Sequence, residues 1–322
     1  MNVAMADDRS SARVREQGVD TAAMAALIAG ALAISAAPIL VRVAQTGPAA
    51  AGFWRLALAL PLLAPGAMGR GAHKPRAPSP AMVLAGVMFA LDLGCWHYGI
   101  RYTSVANATL LPNLNPVLVT AGAWILLKEK PRPIFLAGMA AAVIGAGMVA
   151  LADRGHGAAS AAPELGDALS FATALWYALY FLAVRAARAH ASALRIMIWT
   201  SIVGAPLLLA AAIVLGERIT PTGASGWAAL CGLAVVQVAG QGAIAWALGR
   251  APAAPAALTI LVQPIASAAL AWVIFGETLT QLQAAGGALV LAGIAVAQLR
   301  TRRPAALGGR EDLTGPPRQL DS

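Results

Sequence analysis

Long apolar runs, interrupted by short clusters of Gly, Pro and charge, dominate this chain. The pattern predicts ten helices, near 21–43, 47–67, 80–100, 103–127, 133–152, 166–186, 195–215, 225–248, 256–275 and 281–299. Each is near the roughly 17–25 residues that cross a hydrocarbon layer at about 1.5 Å per residue. The shortest gaps between runs fall at 101–102 and 128–132.

Two of these stretches match each other at a spacing of 148 residues. Pro116, Trp124, Glu129, Gly138 and Gly145 recur as Pro264, Trp272, Glu277, Gly286 and Gly293. Looser matches align Val41-Arg42 with Val184-Arg185, and Trp54 and Pro61 with Trp199 and Pro206. Five helices per half is an odd number, so the second half enters the membrane from the opposite face. The expected fold class is therefore all-α integral membrane, ten transmembrane helices as two inverted five-helix repeats. The expected units are a polar tail 1–19, repeat 1 at 20–152, an Ala/Gly/Ser-rich linker 153–165, repeat 2 at 166–300 and a polar tail 301–322. Both tails are expected to be disordered.

Composition agrees with a lipid environment. The chain is 59% hydrophobic and 11% charged, with a mean hydropathy of +0.71, whereas soluble domains run at about 25% charged. The net charge of +9 does not point to nucleic acid, because its basic residues lie in the gaps between apolar runs and in the tails. The first nineteen residues lack the basic-then-apolar layout of a signal peptide, so the run that follows is expected to be a retained helix. Cys95 and Cys231 sit inside apolar runs and are expected to be small core residues.

Orientation follows from Lys and Arg. With the N-terminus in the cytoplasm, 18 of the 23 basic residues fall inside, and only Arg42, Arg101, Arg154 and Arg218 fall outside. Both termini are therefore expected in the cytoplasm, in a multi-pass protein of the cell inner membrane.

The residues that break the apolar pattern are candidates for chemistry. Asp92 is the acidic residue expected deep inside a span, where a carboxylate costs about 2.5–3.5 kcal/mol on insertion scales. Arg55 is its candidate ion-pair partner, since both lie about 12 Å below the outer surface on neighbouring antiparallel helices. This pair serves either helix register or substrate and proton handling. His97 is a possible proton carrier or an interfacial hydrogen-bonding residue. In the fourth run, Pro112 and Pro116 release backbone carbonyls, while Asn107, Asn113 and Asn115 add amides. Gln263-Pro264 repeats the device in the ninth. Such groups must be satisfied internally or line a wet cavity.

A central pocket is thus expected between Asn113 and Gln263, with Trp96, Trp176 and Tyr180 as walls and Tyr98, Gln241 and Asn107 nearby. Gln237 and Gln241, four apart, suggest a polar stripe towards the cavity. Gly138, Gly145 and their repeats read as sites of close helix packing. Glu129 and Glu277 end their helices at opposite membrane surfaces and suit a capping or conformational role. No phosphate-binding loop, zinc-protease signature or paired Asp cluster appears in the sequence, so no cofactor, metal or catalytic set is expected.

The segment FWRLALALPLL (53–63), the stretch IRYTSVANATLL (100–111) and the paired Pro-to-Glu-to-Gly segments 116–138 and 264–286 carry a family likeness. In these the chain resembles the drug/metabolite transporter superfamily, in its ten-helix branch of two EamA repeats. The resemblance spans about residues 20 to 300. It implies an inner-membrane carrier with no nucleotide-driven step and leaves the solute open. The function expected is secondary transport of a small metabolite, an amino acid or similar polar solute, in the direction of efflux and by alternating access. A scaffold without transport and a lipid-modifying membrane enzyme are the other classes. The expected partners are a small-molecule substrate and the lipid bilayer, with no nucleic acid, and the protein is expected as a monomer or homodimer.

Overall fold

The computed structural model describes residues 20–68, 77–102, 111–152, 162–275 and 280–299. Asn107, Glu277, both tails and most of the expected linker lie outside the described residues. Among those described, the chain is all-helical. The helices are α1 (Thr21–Ile34), α2 (Ala37–Val43), α3 (Pro48–Ala57), α4 (Ala59–Met68), α5 (Pro80–Tyr102), α6 (Asn115–Leu127) and α7 (Pro133–Ala152). They continue as α8 (Pro163–Ala187), α9 (Ala193–Val214), α10 (Ala224–Val236), α11 (Gly242–Ala247), α12 (Ala253–Thr259), α13 (Val262–Phe275) and α14 (Gln281–Gln298).

Among the described residues, six apolar segments are long enough to cross a membrane: Thr21–Val41, Pro48–Gly66, Pro80–Gly99, Glu164–Ala187, Ala193–Val214 and Ala224–Ala247. Shorter apolar helices occupy Pro112–Leu127, Pro133–Met148, Ala253–Ser267 and Gln281–Ala297. Large apolar side chains stay exposed, including Trp124, Ile125, Leu126, Val214 and Val273. Lipid, not water, suits such a surface.

Several expected spans are broken helices, and proline explains most of the breaks. Pro38 lacks the N–H that would bond Ile34, and α1 turns into α2 at Ser35–Ala36. The Ser267 hydroxyl donates to the Ser35 carbonyl there, at 3.1 Å. Pro61 cannot donate to Ala57, and α3 gives way to α4 at Leu58. Pro264 has the same effect on Ile260, where α12 passes into α13. In the fourth span a 3-10 turn, Pro112–Leu114, precedes α6. The eighth span differs. Between α10 and α11 runs a π-turn, Gln237–Gln241, which contains no proline and which sequence periodicity does not reveal.

Glycine sets the closest helix contacts. A Cβ on Gly138 would stand 2.5 Å from the Gly293 carbonyl oxygen, and one on Gly145 would stand 2.6 Å from that of Gly286. Because Gly138 repeats as Gly286 and Gly145 as Gly293, these two contacts are reciprocal: each maps onto the other under the sequence repeat. They join α7 to α14. The π-turn is seated similarly, with a Cβ on Gly30 of α1 falling 2.8 Å from the Gly240 carbonyl oxygen. Elsewhere α5 packs along α8, and α9 against α3 and α5.

Candidate functional site

Helix continuity defines two ends of this bundle. Helix α9, 22 residues and about 33 Å long, runs from an end that also holds the C-terminus of α8 to an end that holds the start of α3. Between these ends lies a buried polar cluster. Arg55 of α3, Asp92 of α5, and Gln237 and Gln241 of the π-turn are 2%, 7%, 0% and 3% exposed. Tyr177 and Tyr180 of α8 complete it. The cluster therefore draws on helices from both halves of the chain.

Its contacts are specific. Arg55 Nε donates to Gln237 Oε1 at 2.8 Å, and the Arg55 guanidinium stands 5.7 Å over the Phe89 ring. Phe89 stacks on Tyr180 with ring centroids 4.6 Å apart, and Tyr180 neighbours Tyr177 at 5.9 Å. The Tyr177 hydroxyl faces the Gln241 amide. Asp92 is near enough for its charge to act on Arg55, Tyr177 and Tyr180.

The sequence pairs Asp92 with Arg55 by an ion pair. Among the described residues they make no salt bridge, because Arg55 Nε is turned onto Gln237 instead. Since that bond fixes the Gln237 carbonyl as acceptor, its Nε2 is a defined donor. It is buried without a hydrogen-bond partner among the described residues, as is Gln241 Oε1. Such groups each cost about 1–3 kcal/mol when left unmade, so a native site that keeps them empty has a reason to.

Other sequence candidates fall elsewhere. Trp176 lies beside Cys95, one turn of α5 from Asp92, and the Trp96 ring is 5.1 Å from His97. His97 Nδ1 lies 2.7 Å from the Pro48 carbonyl, so it carries the proton and donates, tying α5 to the start of α3. Its Nε2 is buried without a partner among the described residues. Asn113 sits in the 3-10 turn with its Nδ2 unpartnered among them, and Gln263 opens α13 half-buried. No hydrogen bond among the described residues joins either to the Arg55 cluster. Tyr98 is also separate: its hydroxyl donates to Glu217. It lines a 530 Å³ cavity at the α3 end with Gln45, Thr46, Tyr102, Glu217 and Arg218.

Two carboxylates stitch the ends of the bundle. At the α3 end, Glu217 accepts from the Ala50 N–H at 2.9 Å and the Ala49 N–H at 3.1 Å, the free first-turn donors of α3. Trp54 Nε1 donates to the Ile219 carbonyl at 2.8 Å beside it. At the other end, Glu129 Oε2 accepts from the Ala253 N–H, first in α12, at 3.2 Å. Its Oε1 lies 3.6 Å from Arg185 of α8. Arg188 follows one turn later, and its pKa is pushed below the usual arginine value by burial and by Arg250 and Arg185. Arg250 itself stacks on Trp246 at 3.8 Å.

Sequence reading missed Glu217; it had Tyr177 only among the aromatics of its span and Gln237 only as part of a polar stripe towards the cavity, neither as a site residue. A signal for Glu217 exists: an apolar residue, then Gly or Lys, then Glu closes a helix at Leu127-Lys128-Glu129 and Leu215-Gly216-Glu217, and the triplet recurs in sequence at Phe275-Gly276-Glu277.

Comparison with known proteins gives this arrangement a context. The pattern of the EamA-like transporter family matches residues 21–151 and again residues 164–298. The probable terminal-alkyne amino-acid exporter of Streptantibioticus cattleyicolor is 28% identical over 282 residues, covering 84% of this chain and 92% of that protein. The pseudopaline exporter CntI of Pseudomonas aeruginosa is 25% identical over 225 residues, 70% of this chain and 76% of the exporter. The uncharacterized transporter YetK of Bacillus subtilis is 27% identical over 227 residues, 68% of each chain. A solved crystal structure with 22% identity superposes with a TM-score of 0.74 over 86% of this chain and 98% of its own, a likeness of fold.

Proposed function

The chain belongs to the EamA-like transporter family, and on that premise we propose that it is a secondary exporter of a small zwitterionic metabolite, an amino acid or a close relative. Transport works by alternating access between two inverted repeats, in the inner membrane with both termini in the cytoplasm. The reciprocal Gly138–Gly293 and Gly145–Gly286 contacts support the repeat symmetry, and the distribution of Lys and Arg supports the orientation.

The observation that carries the reading is the buried cluster with open valences of both kinds. Gln237 Nε2 is an unpartnered donor suited to a carboxylate, and the Arg55 guanidinium bonded to the same side chain supplies the positive charge. Gln241 Oε1 and the Asp92 carboxylate are acceptors suited to an ammonium group. Tyr177, Tyr180 and Phe89 give the apolar wall. A polyanion would meet a single arginine there, too little cation for its charge. The names of two relatives, exporters of pseudopaline and of a terminal-alkyne amino acid, support the direction and class.

Untargeted profiling of metabolites inside and outside cells with and without the gene tests this. Expression should raise at least one amino-carboxylate in the medium, and Arg55→Gln or Asp92→Asn should abolish the rise at equal membrane abundance. An extracellular profile indifferent to the gene, or a rise confined to phosphorylated solutes, contradicts it.

A further inference from the structure

Glu129 reaches two separate elements with its two oxygens. Helix α6 ends in Lys128, whose φ of 59° places it in the left-handed region and turns the chain sharply. The next residue, Glu129, is held by a backbone bond from its N–H to the Ala123 carbonyl at 3.0 Å, so the side chain leaves a fixed root. From there Oε2 accepts from the start of α12 and Oε1 pairs with Arg185 in the last turn of α8. Both partners belong to the second half of the chain, and Glu129 to the first. Charge-assisted contacts at a helix N-terminus and with a cation near a helix C-terminus each favour the closed arrangement.

Two features make this contact releasable. The pair is partly solvated, with the two side chains 28% and 26% exposed, so opening costs little desolvation. Helix α12 is also a short lever: seven residues long, it is separated from α13 by the break at Ile260–Leu261, where Pro264 removes the bond that would make the two one rigid rod. This short helix is joined to α11 through residues 248–252 and buried along most of its length, so the hinge lets it tilt by a small angle against α1, α6, α8 and α14 once the carboxylate lets go.

We propose that Glu129, with Arg185 and the Ala253 N–H, is the latch that holds the cytoplasmic face closed in the state described here, and that its release lets α12 tilt about the 260–261 hinge. This rests on the transporter reading for its purpose but not for its test. The side-chain recurrence in the sequence agrees with a device written into the repeat, since Glu277 and Arg42 stand at the repeat positions of Glu129 and Arg185.

The test uses full-length protein in sealed inside-out vesicles, with Cys95 and Cys231 replaced by Ala and the buried Ala257 of α12 replaced by Cys. A membrane-impermeant charged maleimide reports access to α12 from the cytoplasmic face. Glu129→Ala and Arg185→Ala should each raise the labelling rate about three- to fivefold. Glu129→Gln, which keeps an acceptor for Ala253, should raise it less. Labelling in right-side-out vesicles should not change. Unaltered rates in both alanine variants overturn the latch, and so does an equal rise from both faces, which signals a loosened fold. Since no solute is involved, a latch that opens normally in a protein that exports nothing would instead count against the transporter reading.

Discussion

The two ends of the bundle use one device with different strength. At each, a helix closes in a left-handed residue, and the glutamate after it crosses to the other half of the chain and caps a helix there. At the α3 end the residue is Gly216 (φ 64°), for which this conformation is free, and Glu217 gathers two backbone N–H groups and the Tyr98 hydroxyl. At the α12 end it is Lys128, which pays about 1 kcal/mol for the same φ, and Glu129 has one backbone N–H and a half-solvated arginine. Neighbouring contacts widen the gap: Trp54 and His97 also pin the α3 end, to Ile219 and Pro48. On the proposed latch, similar local geometry serves a permanent fastening at one end and a reversible one at the other.

If so, Glu217→Ala should have the largest effect on stability, leaving three donors without their acceptor and costing about 2–4 kcal/mol. Thermal unfolding of the purified protein in detergent reads this, and a cost equal to that of Glu129→Ala would erase the contrast. Glu129→Ala itself should cost about 1 kcal/mol by the same measurement while changing access to α12. Tyr98→Phe should cost about 1 kcal/mol and, combined with Glu217→Ala, fall short of the sum, because both remove one contact. Full additivity would mean Tyr98 and Glu217 do not cooperate. Smallest of all, Lys128→Gly should stabilise the chain by a few tenths of a kcal/mol up to about 1, whereas Gly216→Ala should destabilise it by a similar amount.

These contrasts also mark how far the sequence could be read. The apolar runs located the described helices closely, since lipid imposes length and composition directly, and the proline positions anticipated the breaks at Ile260–Leu261 and before α6. Arg55, Asp92, Gln241 and Tyr180 stood out in the sequence because a polar group in a span has no bland place to go, and the structure gathers them in one buried cluster. Their pairing was not legible. Depth along neighbouring helices put Arg55 against Asp92, but the π-turn rotates Gln237 onto the guanidinium, and no periodicity signals an extra residue in a helical turn. The contact of Tyr98 was not legible for a related reason: its partner Glu217 lies 119 residues away.

On the proposed function, the Arg55–Asp92–Gln237–Gln241 cluster holds a solute bearing both an ammonium and a carboxylate. The most direct measurement is the thermal shift of purified protein with a panel of L-amino acids, each beside its decarboxylated amine and its N-acetylated acid. At least one amino acid should stabilise the wild type, by about 2.7 kcal/mol at a hundredfold excess over its dissociation constant, with both one-charge counterparts far weaker. Asp92→Asn and Gln241→Leu should lose the response. Equal stabilisation by an amino acid and its one-charge counterparts, or a response that survives both substitutions, would contradict the account.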